Sequence, residues 1–211
     1  FDTGPNVQTI GNQVVVMPSG VVMDFFTNIT QEGAVRLGFV KSVNHGATFG
    51  PNVNVMDIDI NDAGVVTPNS LEPVRDATIL YDVAVDPQNS NLYLVWQDIR
   101  WGNVNKVAFS MSTNGGFSWS IPVQINMTPK NTANKLRNQA FVPSIEVGPQ
   151  HKLSVTYYDF RNDKAGTNGA EMADYWAINC NPLIANCRSA SGWGRSARRP
   201  RRTPSPSTAA R

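Results

Sequence analysis

The sequence contains little histidine or cysteine, with two residues of each among 211. The histidines, His45 and His151, are far apart and no Cys-x-x-Cys motif occurs, so we expect no zinc site. We expect no cofactor other than the calcium candidate at Asp57, Asp59 and Asn61. No apolar run approaches the length of about 20 residues that a transmembrane helix needs. No long stretch shows helical periodicity. These absences argue against a zinc protein, a membrane-spanning helix and a helical bundle.

Basic residues are concentrated at the C-terminus. Residues 195–211 carry six of the 18 Lys and Arg residues and no acidic residue, so residues 1–194 carry 12 basic against 16 acidic residues. A phosphate-binding face needs clustered basic residues on the folded part, and we therefore expect no nucleic-acid partner. The tail uses five residue types, none suited to a core, and is predicted to be disordered. It is either a polyanion-binding arm or an out-of-frame translation, and we favour the second.

Two short segments repeat the pattern SxNxGx[ST][FW], at residues 42–49 and, 70 positions later, at residues 112–119. In this pattern the Asn side chain can bond to its own backbone, the Gly can take a positive φ, and the aromatic ring can fix the turn to a sheet. We predict two matched hairpin turns, which we call corner turns. Their structural residues are Ser42, Asn44, Gly46, Phe49, Ser112, Asn114, Gly116 and Trp119.

Other segments recur in the same order, because residues 82–100 are echoed by residues 144–161 and more faintly by residues 14–26. Each copy reads as four short strands, with a corner turn between the third and the fourth. Four antiparallel strands make one blade of a β-propeller. We therefore predict an all-β fold, a partial β-propeller of about three four-stranded antiparallel blades at approximately residues 10–60, 80–128 and 142–194.

Three blades cannot close a propeller, which normally has about four to eight. The chain begins with Phe1 instead of Met, and the first copy follows almost at once. These features predict a fragment of a longer protein, whose missing blades are partners of this chain.

The corner turns resemble the Asp-box, or BNR repeat, of the sialidase/neuraminidase superfamily, whose pattern is SxDxGxTW. The segments 95–100 (Val-Trp-Gln-Asp-Ile-Arg), 156–161 (Thr-Tyr-Tyr-Asp-Phe-Arg) and 174–176 (Asp-Tyr-Trp) also resemble bacterial sialidase-like propellers. The resemblance covers roughly residues 10–194. It departs from the family where Asn44 and Asn114 replace Asp, where Phe49 replaces Trp, and in the third copy, which has only a degenerate Ser189-Ala-Ser-Gly-Trp193.

Export from the cell is implied by this resemblance, because Asp-box propellers are mostly extracellular or periplasmic. The two cysteines, Cys180 and Cys187, would be free thiols in the cytosol, whereas in an exported protein their spacing suits a local disulfide. The resemblance therefore implies a Cys180–Cys187 disulfide.

A carboxylate and a guanidinium recur at the ends of the second strands, as Asp98 with Arg100 and as Asp159 with Arg161. Beside them lie the aromatic residues Trp96, Tyr157 and Tyr158. Sugar sites combine aromatic faces with charged planar groups, so these residues are candidates for an acidic-sugar site. The alternative is that each Asp/Arg pair ties one blade to the next, and their repetition favours this alternative.

Sialidases cleave a terminal sialic acid with three Arg that bind its carboxylate, a Tyr nucleophile activated by Glu, and an Asp acid/base. The resemblance implies catalytic roles for Arg100, Arg161 and Asp163, which follows Arg161. The further catalytic candidates are Asp98, Asp159 and Tyr157, with Tyr158, Tyr175 and Glu171 nearby. The family's Phe/Tyr-Arg-Ile-Pro phrase is absent. By the same resemblance, the corner turns lie on the rim opposite the active site and are structural.

Two further sites are predicted, each with an alternative. Arg75 enters the first strand of a blade and could face a ligand in the central channel, or it could pair with Asp76. Asp57, Asp59 and Asn61 follow the DxDxN spacing with which calcium loops begin, but the sixth and twelfth positions hold Asp62 and Pro68 where an EF-hand has Gly and Glu. A plain polar turn is the alternative to calcium here.

The functional prediction is a sialidase-like, glycan-directed propeller protein with a glycan or glycoconjugate ligand. At full length it could be an exo-sialidase-type glycoside hydrolase. The alternative is a non-catalytic extracellular propeller that binds carbohydrate or protein.

Overall fold

The computed structural model describes residues 7–60, 64–163 and 171–180. Within these residues the chain forms thirteen β-strands and two 3-10 helices, Lys135–Asn138 and Pro149–His151. Every pair of neighbouring strands in them is antiparallel. None of the described residues belongs to a helix of the length and apolarity that a membrane span requires.

Three sheets contain most of the strands, and we call them blades 1, 2 and 3. Blade 1 has the order β1-β2-β3-β4, with β1 Val7–Val16, β2 Val22–Thr30, β3 Val35–Ser42 and β4 Val53–Asp57. A small separate hairpin pairs β5 Val65–Val66 with β6 Pro73–Val74. Blade 2 contains, in chain order, β7 Tyr81–Val85, β8 Leu92–Asp98, β9 Lys106–Ser112 and β10 Val123–Gln124. Among the described residues blade 3 has the strands β11 Ala140–Val147, β12 Leu153–Asp159 and β13 Asp174–Cys180.

The core of the molecule lies between the blades. One apolar cluster joins blade 1 to one face of blade 2, through residues such as Phe25, Leu37 and Trp96. A second cluster joins the other face of blade 2 to blade 3, through residues such as Tyr93 and Tyr157. Blade 2 is therefore covered on both faces. All seven residues of β8 are buried, which explains why its sequence, LYLVWQD, reads as an apolar run without alternation.

The first strands of the blades lie side by side, since β1 contacts β7 and β7 contacts β11. Gln13 of β1 accepts a hydrogen bond from Val83 N at 3.2 Å, and its amide donates to Tyr81 O at 2.9 Å. One blade further on, Asp82 Oδ2 accepts from Ile145 N at 2.8 Å. Each blade thus bonds through its first strand to the first strand of the next. Successive four- and three-stranded antiparallel sheets that contact through their first strands are consistent with the blades of a propeller, which confirms the prediction of an all-β, partial β-propeller.

The two corner turns have the same hydrogen-bond network. Ser42 Oγ donates to Asn44 Oδ1 at 2.8 Å and accepts from Gly46 N at 2.9 Å, while Thr48 N donates to Asn44 Oδ1 at 2.9 Å. In blade 2 the corresponding three distances are 2.9, 3.0 and 2.9 Å. An Asn at this position therefore forms the turn through its side-chain oxygen.

The second corner turn also packs on blade 1. The Trp119 ring meets the Phe25 ring edge-to-face at 6.1 Å between centroids. A Cβ added to Gly116, whose φ is +86°, would come within 3.0 Å of Met23 Cε and Phe39 Cζ. Phe49, the aromatic residue of the first corner turn, is exposed.

In the register of blade 3, Cys180 occupies the position that the serine of a corner turn occupies in blades 1 and 2. Leu153 pairs with Cys180 as Leu92 pairs with Ser112 in blade 2, and as Val22 pairs with Ser42 in blade 1. The degenerate copy predicted at residues 189–193, the second cysteine Cys187 and the tail at residues 195–211 lie outside the described residues.

The β5–β6 hairpin lies between the predicted bounds of the first two blades, approximately residues 10–60 and 80–128, where the sequence predicted no strands. Val65 N donates to Asp76 Oδ2 at 2.6 Å, and Gln139 Nε2 donates to Val66 O at 2.7 Å. Contacts with more distant parts of the chain therefore hold this short hairpin in place.

Candidate functional site

The two repeated Asp/Arg pairs lie on the rim of the blades opposite the corner turns. Strand β8 runs from Leu92, which pairs with Ser112 at the corner turn, to Asp98 at its other end. Asp98 pairs there with Lys106, the first residue of β9. Strand β12 runs in the same way from Leu153 to Asp159. The residues after these strands therefore share one rim with the segments that connect successive blades.

Asp98 and Arg100 form a bidentate pair. Arg100 Nε donates to Asp98 Oδ1 at 2.8 Å, and Arg100 Nη2 donates to Asp98 Oδ2 at 2.7 Å. The Asp98 carboxylate is fully buried and also accepts from the indole N–H of Trp96 at 2.9 Å. Hydrogen bonding to Asp98 raises the pKa of Arg100, against the opposing effect of burial. This guanidinium therefore carries a fixed positive charge.

Asp159 and Arg161 repeat the arrangement in blade 3. Arg161 Nε donates to Asp159 Oδ2 at 2.8 Å, and Arg161 Nη2 donates to Tyr157 Oη at 3.1 Å. The guanidinium carbon lies 3.6 Å from the centroid of the Trp176 ring, a cation–π contact. Burial raises the pKa of Tyr157, with Arg161 and a hydrogen bond from Met127 opposing it. A raised pKa is unfavourable for a nucleophilic phenol.

Both pairs also receive hydrogen bonds from the preceding blade. Asp59 N, after the last strand of blade 1, donates to Asp98 Oδ2 at 3.3 Å. Thr128 Oγ1, after the last strand of blade 2, donates to Asp159 Oδ2 at 2.8 Å. The repeated carboxylates therefore link neighbouring blades. This is the geometry expected if each Asp/Arg pair ties one blade to the next.

A cleft of about 430 Å³ opens between blades 1 and 2, beside Arg100. It is lined by Gly33, Ala34, Val35, Asp57, Ile58, Asp59, Ile60, Ile99, Arg100 and Asn103. The side chains of Asp57 and Asp59 are 70% and 57% exposed, and that of Arg100 is 28% exposed. Arg100 Nη2 donates to Asp57 O at 2.9 Å, and its Nε lies 3.9 Å from Asp59 Oδ2. The cleft thus brings together residues that the sequence analysis assigned to two different sites.

The calcium candidates have basic partners here. Asp57 Oδ1 accepts from Arg36 Nε at 2.7 Å, and Asp59 faces Arg100. Asn61, the third candidate, lies outside the described residues. No three Asp, Glu, His or Cys residues of the described part of the chain are grouped so that they could hold a metal ion.

Asp163, which follows strand β12 of blade 3, lies in a buried polar cluster. Its carboxylate accepts from Asn69 Nδ2 at 2.8 Å and from Met172 N at 3.2 Å, and it lies 3.7 Å from Arg137 Nη2. Glu171 bonds to the same hairpin loop, through the backbone and side chain of Ser70. Although desolvation opposes ionisation, these bonds and others from Thr67 and Asn69 lower the pKa of Glu171 to about 2. Glu171 and Asp163 therefore hold the β5–β6 hairpin against blade 3.

The remaining ligand-binding candidates are dispersed. Trp96 is fully buried in the apolar cluster between blades 1 and 2, so its ring is not accessible to a sugar. Tyr158 is partly exposed and packs against Tyr175 at 4.9 Å between ring centroids, on the face of blade 3 that points away from blade 2. Arg75 is exposed, and its neighbour Asp76 accepts instead from Val65 N.

Lys106 is a rim residue that the sequence analysis missed. It is buried, and its Nζ donates to Asn138 O at 2.5 Å. Burial lowers the pKa of Lys106 to about 8, with Asp159 opposing the shift. The repeat contains a signal for this position, because Arg36 lies 70 residues earlier and is likewise the first basic residue of a third strand.

No protein-family model matches the chain, and no curated protein matches it. Solved structures match it by fold. The GH93 α-L-arabinofuranosidase of Fusarium graminearum, solved with arabinobiose, has a TM-score of 0.53 and 14% identity over 80% of this chain and 45% of its own. The Hadza microbial sialidase Hz136 has a TM-score of 0.52 and 11% identity over 82% of this chain and 35% of its own.

This chain thus spans less than half the length of either of these structures. At such low identity the likeness shows the fold alone. The described residues have the fold of part of a sialidase-like β-propeller.

Proposed function

We propose that this chain is part of a glycan-directed propeller protein and that the cleft between blades 1 and 2 binds a saccharide. The proposal starts from a fold that is shared with a sialidase and an α-L-arabinofuranosidase. The observation that carries it is the cleft itself, where two exposed carboxylates flank a guanidinium that is held in place by a buried carboxylate.

The chemistry of the cleft suits a polyhydroxylated ligand. The carboxylates of Asp57 and Asp59 can accept hydrogen bonds from sugar hydroxyl groups, and charge-assisted bonds of this type are stronger than neutral ones. Arg100 has little freedom to move because Asp98 binds it at two points, so a ligand that bonds to it immobilises few additional torsions. The volume falls within the range of about 300–1,000 Å³ that is usual for small-molecule sites.

Two forms of this function are supported by different observations. In a longer protein, residues of further blades could complete an exo-sialidase-type hydrolase, as the sequence resemblance implies. The burial of the candidate acids favours the non-catalytic alternative for this part of the protein. Asp98, Asp159 and Asp163 are all buried and all hydrogen-bonded within the protein, so their carboxylates are not available to a sugar. We also propose that the protein is exported from the cell, because glycan ligands are accessible there.

Saccharide binding by the 211-residue chain tests this proposal. Isothermal titration calorimetry would measure the affinity of the unmodified chain and of the variant Asp59→Ala for 3′-sialyllactose, arabinobiose and lactose. The two hydrogen bonds that Asp59 makes across the blade boundary, to Asp98 Oδ2 and from Ile99 N, use its backbone and survive this change. We expect Asp59→Ala to weaken binding about tenfold, which corresponds to about 1.4 kcal/mol.

Glu146→Ala is the matched control, because it also removes one exposed carboxylate but lies on β11 of blade 3. It should bind as the unmodified chain does. Absence of binding to all three sugars, or equal affinities for Asp59→Ala and the unmodified chain, would refute the cleft as a saccharide site. Release of a fluorogenic sialoside aglycone that is lost in Arg100→Ala would instead establish the catalytic form.

A further inference from the structure

Arg100, the basic residue that lines the cleft between blades 1 and 2, has already used most of its hydrogen-bond donors. A guanidinium has five N–H groups, one on Nε and two on each Nη. The Asp98 carboxylate accepts from Nε at 2.8 Å and from Nη2 at 2.7 Å, and Asp57 O accepts from Nη2 at 2.9 Å. Within the described part of the chain no acceptor bonds to Nη1, so the two donors of this one nitrogen are left for a ligand.

This arrangement leaves no bidentate position for the carboxylate of a ligand. A bidentate pair needs parallel N–H groups from two nitrogens, either Nε with Nη2 or Nη1 with Nη2. Asp98 occupies the first position, and the bond to Asp57 O takes the Nη2 donor of the second. Arg161, the other arginine predicted for an acidic-sugar site, has a side chain that is only 9% exposed and is paired with Asp159. Neither arginine is therefore open to bidentate binding of an acidic sugar.

The charges around the cleft act in the same direction. The described segments that contribute to it, residues 31–36, 57–60 and 98–105, contain four acidic and two basic residues. The acidic residues are Glu32, Asp57, Asp59 and Asp98, and the basic residues are Arg36 and Arg100.

Both basic residues are paired with these carboxylates. Arg36 Nε lies 2.7 Å from Asp57 Oδ1. The pKa of Arg100 is raised by its hydrogen bonds to Asp98 and also by the charges of Asp98, Asp59 and Asp57. Three carboxylates thus act on one guanidinium, and the cleft has a net negative charge.

We propose that the cleft selects saccharides by charge, so that it binds amino sugars more tightly than neutral sugars and rejects acidic sugars such as sialic acid. The inference rests on the proposed saccharide site and names the class of its ligand. An ammonium group can pair with the exposed carboxylates of Asp57 and Asp59, while Nη1 of Arg100 donates to hydroxyl groups. A sugar carboxylate in the same place is repelled by both aspartates and has no bidentate partner.

Titration calorimetry of the 211-residue chain with three related sugars tests this selectivity. The sugars are lactose, 3′-sialyllactose, which adds an acidic residue, and galactosyl-β-1,4-glucosamine, which replaces one hydroxyl group of lactose by an amine. At about pH 6 an amine is protonated. Two unit charges about 4 Å apart in water change a dissociation constant about fivefold, so we expect the amino sugar to bind about fivefold more tightly than lactose. By the same reasoning, 3′-sialyllactose should bind at least about fivefold more weakly than lactose.

Salt and a charge variant separate charge from size, because 3′-sialyllactose is also larger than lactose. Between about 0.1 M and 1 M salt the screening length falls from about 10 Å to about 3 Å, so the differences between the sugars should shrink. Asp59→Asn keeps the backbone bonds of Asp59 to Asp98 Oδ2 and from Ile99 N, and it should narrow the same differences. Glu146→Gln removes an exposed carboxylate of blade 3 and should leave them unchanged.

Failure of the selectivity and failure of the site give different results. If the sugars bind but 3′-sialyllactose binds as tightly as lactose, or if high salt and Asp59→Asn leave the differences in affinity unchanged, selection by charge is refuted while the saccharide site stands. If none of the sugars binds, the saccharide site is refuted together with its selectivity.

Discussion

Removal of the Asp98 carboxylate tests whether the repeated acid/arginine pairs hold neighbouring blades together. In Asp98→Ala, Arg100 loses a bidentate partner, and Trp96 Nε1 and Asp59 N lose their acceptor. The Asp98 side chain is fully buried, so water cannot readily replace these bonds.

The expected loss of stability follows from the exposure of the two partners. Breaking a buried ion pair costs about 3–5 kcal/mol. Because the Arg100 side chain is 28% exposed and can be partly rehydrated, we expect the lower end, about 3 kcal/mol. For a chain of this size that loss corresponds to a fall of roughly 6–12 °C in the thermal midpoint.

Urea denaturation monitored by tryptophan fluorescence measures this loss. The matched control is Asp57→Ala, which also removes an aspartate paired with an arginine, but one whose side chain is 70% exposed. An exposed pair contributes about 0–1 kcal/mol, so this control should change stability little. If Asp98→Ala does not fold, Asp98→Asn keeps one acceptor oxygen and should show a smaller loss. Equal and small losses for Asp98→Ala and Asp57→Ala would refute the reasoning.

Two further predictions concern a turn and a carboxylate. Gly116→Ala and Gly46→Ala introduce the same strain, since both φ values are near +87°, but only at Gly116 does the new Cβ meet atoms of Met23 and Phe39. We expect Gly116→Ala to lower the free energy of unfolding, measured by urea denaturation, by at least about 1 kcal/mol more than Gly46→Ala does. Equal losses in the two variants would disprove packing of this turn on blade 1. Because the folded pKa of Glu171, about 2, is below its ordinary 4.5, its contribution to stability is present above pH 4.5 and is lost as the pH falls towards 2. Glu171→Gln should therefore be less stable than the unmodified chain at pH 7 and equally stable near pH 2, and a difference that did not change with pH would contradict this.

The blades and the paired residues could be predicted because the sequence repeats itself. The register positions of Ser42 and Ser112, and those of Asp98 and Asp159, coincide in the structure as the repeat requires. The β5–β6 hairpin could not be predicted in this way, because two-residue strands have no periodicity and depend on contacts with residues such as Gln139.

The sequence could not predict what the candidate side chains contact, because their partners belong to other blades. The sequence places Asp98 and Arg100 at a strand end, but it does not show that the backbone of Asp59 reaches them from blade 1. The burial of Lys106 likewise depends on residues 135–138, which lie about 30 positions further along the chain. Packing between blades decides whether such groups face a ligand or a neighbouring blade.

The complete enclosure of β8 has a consequence for the behaviour of the protein during folding. Its seven residues, LYLVWQD, combine high strand propensity with a single charge and no proline, which is the composition of segments that pair between molecules. Only the docking of blades 1 and 3 on its two faces removes this segment from solvent. Any state in which blade 1 or blade 3 is displaced therefore exposes a strand that is prone to aggregation. The solubility of the protein thus depends on all three blades being packed together.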